Sequence, residues 1–212
     1  MDIQTDKEEE IYAANYMVAA LQRQVFSRSN ISAFFINRQL TGDTESIPWG
    51  MRDFRINRIA GLEYNLASPD NRWTGKAYYH QNFSGDLAIR NSASALNITR
   101  STQYLTASLN QAFTGSGYNA EAGYIRRKGY YQLNSGFQYK FFPESKTIIS
   151  HGPALKLDTY FNPYSSLSLM SLTDRETQLL YNIEWLNKSS MSIDVRETFI
   201  ELLSPFDPTN TG

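Results

Sequence analysis

Apolar and polar residues alternate one by one over stretches of roughly ten residues, and this period of two constrains the fold more than any other feature. In one stretch Phe54, Ile56, Ala60, Leu62, Tyr64 and Leu66 share one phase, while Arg55, Asn57, Gly61, Glu63 and Asn65 share the other. In a second, Tyr131, Leu133, Ser135, Phe137, Tyr139 and Phe141 oppose Gln132, Asn134, Gly136, Gln138 and Lys140. Thr177, Leu179, Tyr181, Ile183 and Trp185 oppose Gln178, Asn182 and Glu184; Met191, Ile193, Val195 and Phe199 oppose Ser192, Asp194 and Arg196. On a helix these polar residues would spread around the circumference, so strands are expected.

Ten strands are predicted, near 13–26, 30–40, 53–67, 72–83, 91–99, 103–114, 129–142, 147–161, 174–186 and 191–203. Their joins alternate in length. After the odd-numbered strands they are short turns such as Ser68-Pro69-Asp70-Asn71 and Pro143-Glu144-Ser145-Lys146. After the even-numbered strands they are longer, as from Thr41 to Arg52 and from Gly115 to Lys128. Short turns at one end and long loops at the other are the pattern of outer-membrane β-barrels, with tight periplasmic turns and longer extracellular loops. The expected fold is therefore all-β: an antiparallel up-and-down meander of about ten strands, part of a transmembrane outer-membrane barrel. Residues 1–212 read as one domain.

Composition agrees. Aromatics make up 14% of the chain, with 14 Tyr, 12 Phe and three Trp. Several of them (Trp73, Tyr78, Tyr79, Tyr104, Tyr130, Tyr131, Phe141, Phe142, Tyr160, Phe161, Trp185) sit close to predicted strand ends, where amphipathic rings prefer the headgroup level. No stretch is long and apolar enough for a spanning helix, which a barrel does not need. The formal net charge of −1 gives no argument for nucleic acid or an anionic membrane surface, and no nucleic-acid partner is expected. Two His and no Cys leave little for a metal centre and nothing for a disulfide framework; no cofactor is expected.

The direction of the hairpins carries a further expectation. If the short joins are periplasmic, the first predicted strand runs inward, so an outward strand should precede it, with Asp2-Ile3-Gln4-Thr5 as its stub. The last runs outward. The chain thus reads as a fragment, cut at both ends, whose partners are outer-membrane lipid and the missing N- and C-terminal parts of the same barrel.

The chain also resembles a β-barrel domain of unknown function found in Bacteroidetes-type outer-membrane proteins. The resemblance rests on Ala14 to Val18, Leu21 to Ile31, Asn37-Arg38-Gln39, Trp73-Thr74-Gly75-Lys76 and Tyr118 to Tyr130. It continues through Ser150-His151-Gly152-Pro153, Thr173-Asp174-Arg175-Glu176 and Pro205-Phe206-Asp207-Pro208. It implies an outer-membrane location and a barrel that usually follows a module similar to family-9 carbohydrate-binding domains. It also implies a carbohydrate association, with glycan reached through that absent module. The whole protein would act in transport or in surface display and glycan-associated uptake. The alternative is a soluble all-β binding module, such as a carbohydrate-binding β-sandwich.

Candidate site residues follow from the phase. Arg55, Glu63, Lys76, His80, Gln138, Lys140, Glu184, Asp194 and Arg196 are expected to face the lumen, tuning selectivity in an open pore or forming a hydrogen-bonded network in a plugged one. Arg58 and Glu197 fall on the apolar phase and should lie near an interface or beside a bulge. The basic run Arg126-Arg127-Lys128, close to Glu121, reads either as a contact for lipopolysaccharide phosphates or as an extracellular-loop salt-bridge cluster or solvated loop; the second reading is preferred. Residues 118–124 read either as a further short strand or as a loop folded into the lumen. Ser150 and His151 are neighbours and so point to opposite faces of a strand. No nucleophile elbow is present, and the chain is expected not to be an enzyme.

Overall fold

The computed structural model describes residues 1–5, 12–41, 55–83, 89–120, 125, 127–164 and 170–202. Eleven strands follow one another: β1 (Asp2–Thr5), β2 (Ala14–Val25), β3 (Ser29–Leu40), β4 (Ile56–Ala67), β5 (Trp73–Asn82), β6 (Ser92–Ser101), β7 (Leu105–Thr114), β8 (Tyr130–Tyr139), β9 (Ile148–Asn162), β10 (Ser171–Trp185) and β11 (Ser190–Ile200). They form one up-and-down sheet in chain order, and no pairing joins β1 to β11 among the described residues. A short 3-10 turn at Ile89–Asn91 is the one helical element described. The all-β meander read from the sequence is the fold. Asp2–Thr5 form the strand β1, and the ten predicted strands match β2 to β11.

The strands gather into two compact units. One comprises Met1–Thr99 with Gln111–Tyr130, the other Arg100–Asn110 with Tyr131–Gly212. In the first, antiparallel register lines up Leu21, Ala33, Leu62 and Tyr79 across four strands on one face. Gln22, Ser32, Glu63 and Tyr78 line up on the other. In the second unit the rows are Phe137, Leu155, Leu179, Val195 and, opposite, Gly136, Lys156, Gln178, Arg196. A slip of one residue would exchange the faces, so the phase and the register specify each other.

Many large apolar side chains are exposed, while several polar ones are buried. Leu62 is 60% exposed, Leu179 57% and Val195 69%, while Asn57 and Asn82 of the polar face are 3% and 1% exposed. Buried hydrophobics among the described residues are few, and half of them are Ala: Ala14, Leu40, Ile59, Ala93, Tyr118 and Ala154. A chain of this length has ample material for an apolar core, yet many of its large side chains stand exposed on one face of the sheet.

Turn chemistry explains the short joins. Between β4 and β5 the Ser68 hydroxyl donates to Asp70 Oδ1 at 2.6 Å and accepts from the Trp73 amide at 2.9 Å. The Arg72 amide donates to the same Asp70 oxygen, and Asn71 takes the left-handed conformation (φ 57°) that Asn tolerates. The Ser68 hydroxyl foremost, with the Arg72 amide, lowers the pKa of Asp70.

Two boundaries differ from expectation for local reasons. The strand expected over 129–142 ends at Tyr139; beyond it the Lys140 amide donates to the Tyr104 carbonyl, and an isolated Phe141–His151 bridge keeps the β8–β9 register. Pro143 then offers no donor with which to continue the ladder. The strand expected from 174 starts at Ser171, with a bulge between Leu172 and Asp174. Leu172 pairs with Phe161 and Asp174 with Tyr160, so the bulge sets Leu172 on the apolar row of Phe161 while Asp174 stays in phase with Glu176 and Gln178.

Candidate functional site

The polar face carries the predicted site residues, and the structure brings several together. Glu63 on β4 joins Lys76 and His80 on β5: its Oε2 lies 2.7 Å from Lys76 Nζ and its Oε1 3.1 Å from His80 Nε2. Tyr78 stacks on His80 with ring centroids 4.5 Å apart, and Phe34 meets the same imidazole edge-on at 4.9 Å. Gly61 stands opposite His80 and leaves the room: a Cβ there would overlap both the Phe34 ring and His80. Gly61→Leu is therefore expected to cost about 1–3 kcal/mol by overpacking, read as a lower unfolding midpoint in denaturant.

The segment after β7 folds back onto this face. Asn57 Nδ2 donates to the Asn119 carbonyl at 3.0 Å, and Asn82 Nδ2 donates to the same oxygen. Tyr118 beside it is buried, and burial raises its pKa, with the Tyr78 phenol adding to the effect. Gly115 and Gly117 donate their amides to the Ser92 and Arg90 carbonyls. At Gly115 the approach is so close that a Cβ would collide with the Arg90 backbone. Residues 118–120 are not a strand but a loop held against this face through the Asn119 carbonyl; 121–124 lie outside the described residues. Lys128 Nζ donates to Asn119 Oδ1 at 3.3 Å, and the Arg127 guanidinium lies 5.8 Å over the Tyr130 ring. Arg127 lines a cavity of about 260 Å³ with Tyr78, His80, Tyr118 and Tyr130. Arg126 and Glu121 lie outside the described residues.

In the second unit the polar face is a hydrogen-bonded field of charge. Gln178 Nε2 donates to Asp194 Oδ2 and Gln132 Nε2 to Asp158 Oδ1, each at 2.7 Å. Arg196 reaches Glu176 at 3.7 Å and Asp194 at 3.9 Å. Gln138, Lys140 and Glu184 line a second cavity of about 320 Å³ with Ser150, Asn182 and Ser192. Arg55 stands just before β4, in phase with Asn57, and its carbonyl accepts from the Leu40 amide.

The opposite face accounts for the charges that broke the pattern. Arg58 Nε donates to Asn37 Oδ1 at 3.0 Å, and Arg175 Nη2 meets Glu197 Oε1 at 2.9 Å. No bulge shifts them. Both sets sit within a few residues of the long-join ends of their strands, where the sequence expectation put an interface. At the short-join end of the second unit an aromatic cluster covers the apolar face. Tyr139 packs on Phe141, Phe141 on His151, and His151 Nδ1 lies 2.7 Å from the Tyr181 hydroxyl. Ser150 faces Glu184 on the polar side, so Ser150 and His151 diverge as neighbours on a strand must. Tyr78, grouped with the end-of-strand aromatics by sequence, shares the Glu63 face instead.

Sequence reasoning did not single out Asn57, Asn82 and Asn119. Two asparagines on the polar phase look like any others until a carbonyl far along the chain is seen to fill both. Among the described residues no group of three His, Cys, Asp or Glu could hold a metal ion.

Fold and site together define an all-β protein with one apolar exposed face and one polar face partly covered by its own loop. No family model, curated protein or solved structure matches the chain.

Proposed function

We propose that this chain belongs to an outer-membrane β-barrel whose apolar face meets lipid and whose polar face lines an aqueous passage narrowed by the β7–β8 loop. The observation that carries this reading is the inverted exposure. Large side chains such as Leu62, Leu179 and Val195 stand open on one face, while Asn57, Asn82 and Gln178 are buried on the other. Leaving a Leu or Val side chain in water forgoes about 1.5–3 kcal/mol of burial. Repeated over every strand, that loss calls for an apolar environment outside the sheet. Charges on the apolar face keep to strand ends, and aromatic rings cluster there, as a headgroup layer favours.

The single up-and-down sheet speaks for this reading over a carbohydrate-binding sandwich, which needs two sheets packed over a shared apolar core. The charged polar face suits hydrophilic solutes, and the role assigned to the whole protein is transport or surface display. No catalytic step is assigned. The test is membrane partition combined with heat-modifiable migration. The full-length protein should float with outer-membrane vesicles and shift its gel mobility between unheated and boiled samples in detergent. A protein that stays in the aqueous fraction and migrates identically in both would end this reading.

A further inference from the structure

We infer that the depression on the polar face at Gly152 is a binding subsite for a small zwitterionic peptide, two residues long with free amino and carboxyl ends. The inference adds a solute class to the reading of an aqueous passage. The site itself does not depend on that reading, because every residue used belongs to one compact unit, Arg100–Asn110 with Tyr131–Gly212.

Register builds the site. The pairing of Gln138 with Ala154, continued by the Phe141–His151 bridge, sets Lys140 opposite Gly152, and Gly152 pairs with Asn182. Gly152 has no side chain, so the row dips between Lys140 and Asn182. The Tyr139 carbonyl approaches so closely that a Cβ at Gly152 would collide with it. Glu184 stands two residues beyond Asn182, and Ser190 and Ser192 close the far side from β11. The cavity measures about 320 Å³, at the lower end of the roughly 300–1,000 Å³ of small-molecule sites. Neighbouring strands lie about 4.8 Å apart. Lys140 on β8 and Glu184 on β10 therefore enter from opposite corners, and they form no ion pair with each other.

The polar groups that line the cavity are open to a ligand. Gln138, Lys140, Asn182 and Ser192 make no side-chain hydrogen bond or ion pair among the described residues. Glu184 accepts from the Ser150 hydroxyl at Oε2, a long contact of 3.4 Å, which leaves Oε1 open. The cavity thus offers a cation, an anion and two carboxamides, each with a donor and an acceptor. A dipeptide presents the complement: a carboxylate for Lys140 and Gln138, an amide for Asn182, and an ammonium for Glu184. Two extended residues span at most about 7 Å, a length the cavity accommodates. A single amino acid carries both charges on one carbon and leaves the Asn182 carboxamide unfilled. A simple anion meets the Glu184 charge, and a simple cation meets that of Lys140. A neutral sugar leaves both charges unmatched and finds no Phe, Tyr or Trp among the lining residues to stack on.

The experiment is a ligand-detected NMR titration of the full chain folded in non-ionic detergent micelles. The probes are alanylalanine, its N-acetyl form, its C-terminal amide and free alanine. Alanylalanine should show saturable binding, roughly tenfold tighter than either blocked form, the ratio expected for one charge-assisted hydrogen-bonded contact. Free alanine should bind more weakly than the dipeptide. Glu184→Gln should bring alanylalanine down to the level of the acetyl form and leave the acetyl form unchanged. Lys140→Gln should bring it down to the level of the amide and leave the amide unchanged. A merely structural role for either side chain would weaken all probes alike, and that result would overturn the inference. Blocked forms or alanine binding as tightly as alanylalanine would overturn it too, as would no saturable alanylalanine binding. Should a variant not fold, the four probes on the unaltered chain decide alone. The flotation test of the membrane reading can fail while this titration succeeds, and the reverse also holds.

Discussion

Leu179→Arg is expected to destabilise the protein by about 2–4 kcal/mol when it is folded in a phospholipid bilayer. Leu179 lies mid-row between Leu155 and Val195 and is 57% exposed. For a soluble protein such a site is surface, and substitutions there stay within about 0.5 kcal/mol of neutral. In a bilayer the same position faces hydrocarbon, where a guanidinium loses its hydration without a partner. The two readings therefore differ by more than tenfold in the folding equilibrium constant. Leu62→Arg tests the first unit in the same way, since Leu62 stands exposed between Ala33 and Tyr79. Ser192→Arg on the polar face should be close to neutral and serves as control. Urea unfolding in vesicles reads all three. Should Leu179→Arg and Ser192→Arg prove equally mild, the apolar face does not meet lipid.

The second large effect concerns the loop. Replacing both Asn57 and Asn82 by Ala should release the segment around Asn119. The two amides donate to one carbonyl, and both are almost fully buried. Removing them costs two hydrogen bonds and strands an acceptor, about 2–3 kcal/mol together. That shifts the docked-to-released ratio roughly 30–150-fold. Two measurements follow it. Trypsin should cut the double variant after Arg127 and Lys128 faster than the parent, and conductance across a planar bilayer should rise as the passage widens. The global unfolding midpoint should move less than the loop equilibrium, because the strand ladders of β4 and β5 do not involve these side chains. Unchanged proteolysis and conductance would show that the latch does not hold the loop.

How much of this was legible in the sequence differs between strands and site. The period of two in 54–66 and 191–199 assigned strands and faces: β4 alternates in burial over Ile56 to Gly61, and β11 sets Val195 beside Leu179 and Arg196 beside Gln178. The phase also placed Glu63, Lys76 and His80 on one face. Their meeting is a matter of register: Asn65 pairs with Lys76 and Gly61 with His80, which brings both side chains to the carboxylate of Glu63 between them. Register in turn follows from the Ser68–Asp70 turn, which the sequence displayed. By contrast, Tyr78 looked like an interfacial ring because nearness to a turn was weighed above its phase. The bulge before Asp174 left no readable mark, since one extra residue in a strand is visible only against its partner.

Local rules therefore determined the strands, their order and the polarity of each face, because alternation and turn chemistry act between near neighbours. Tertiary structure alone decided what covers the polar face. The Asn119 carbonyl fills a position between Asn57 and Asn82 that no spacing announces, for a backbone oxygen has no side-chain signature and its partners are far away in the chain. The same holds for Arg127, a basic loop residue by sequence and a wall of the Tyr78–His80 cavity by fold.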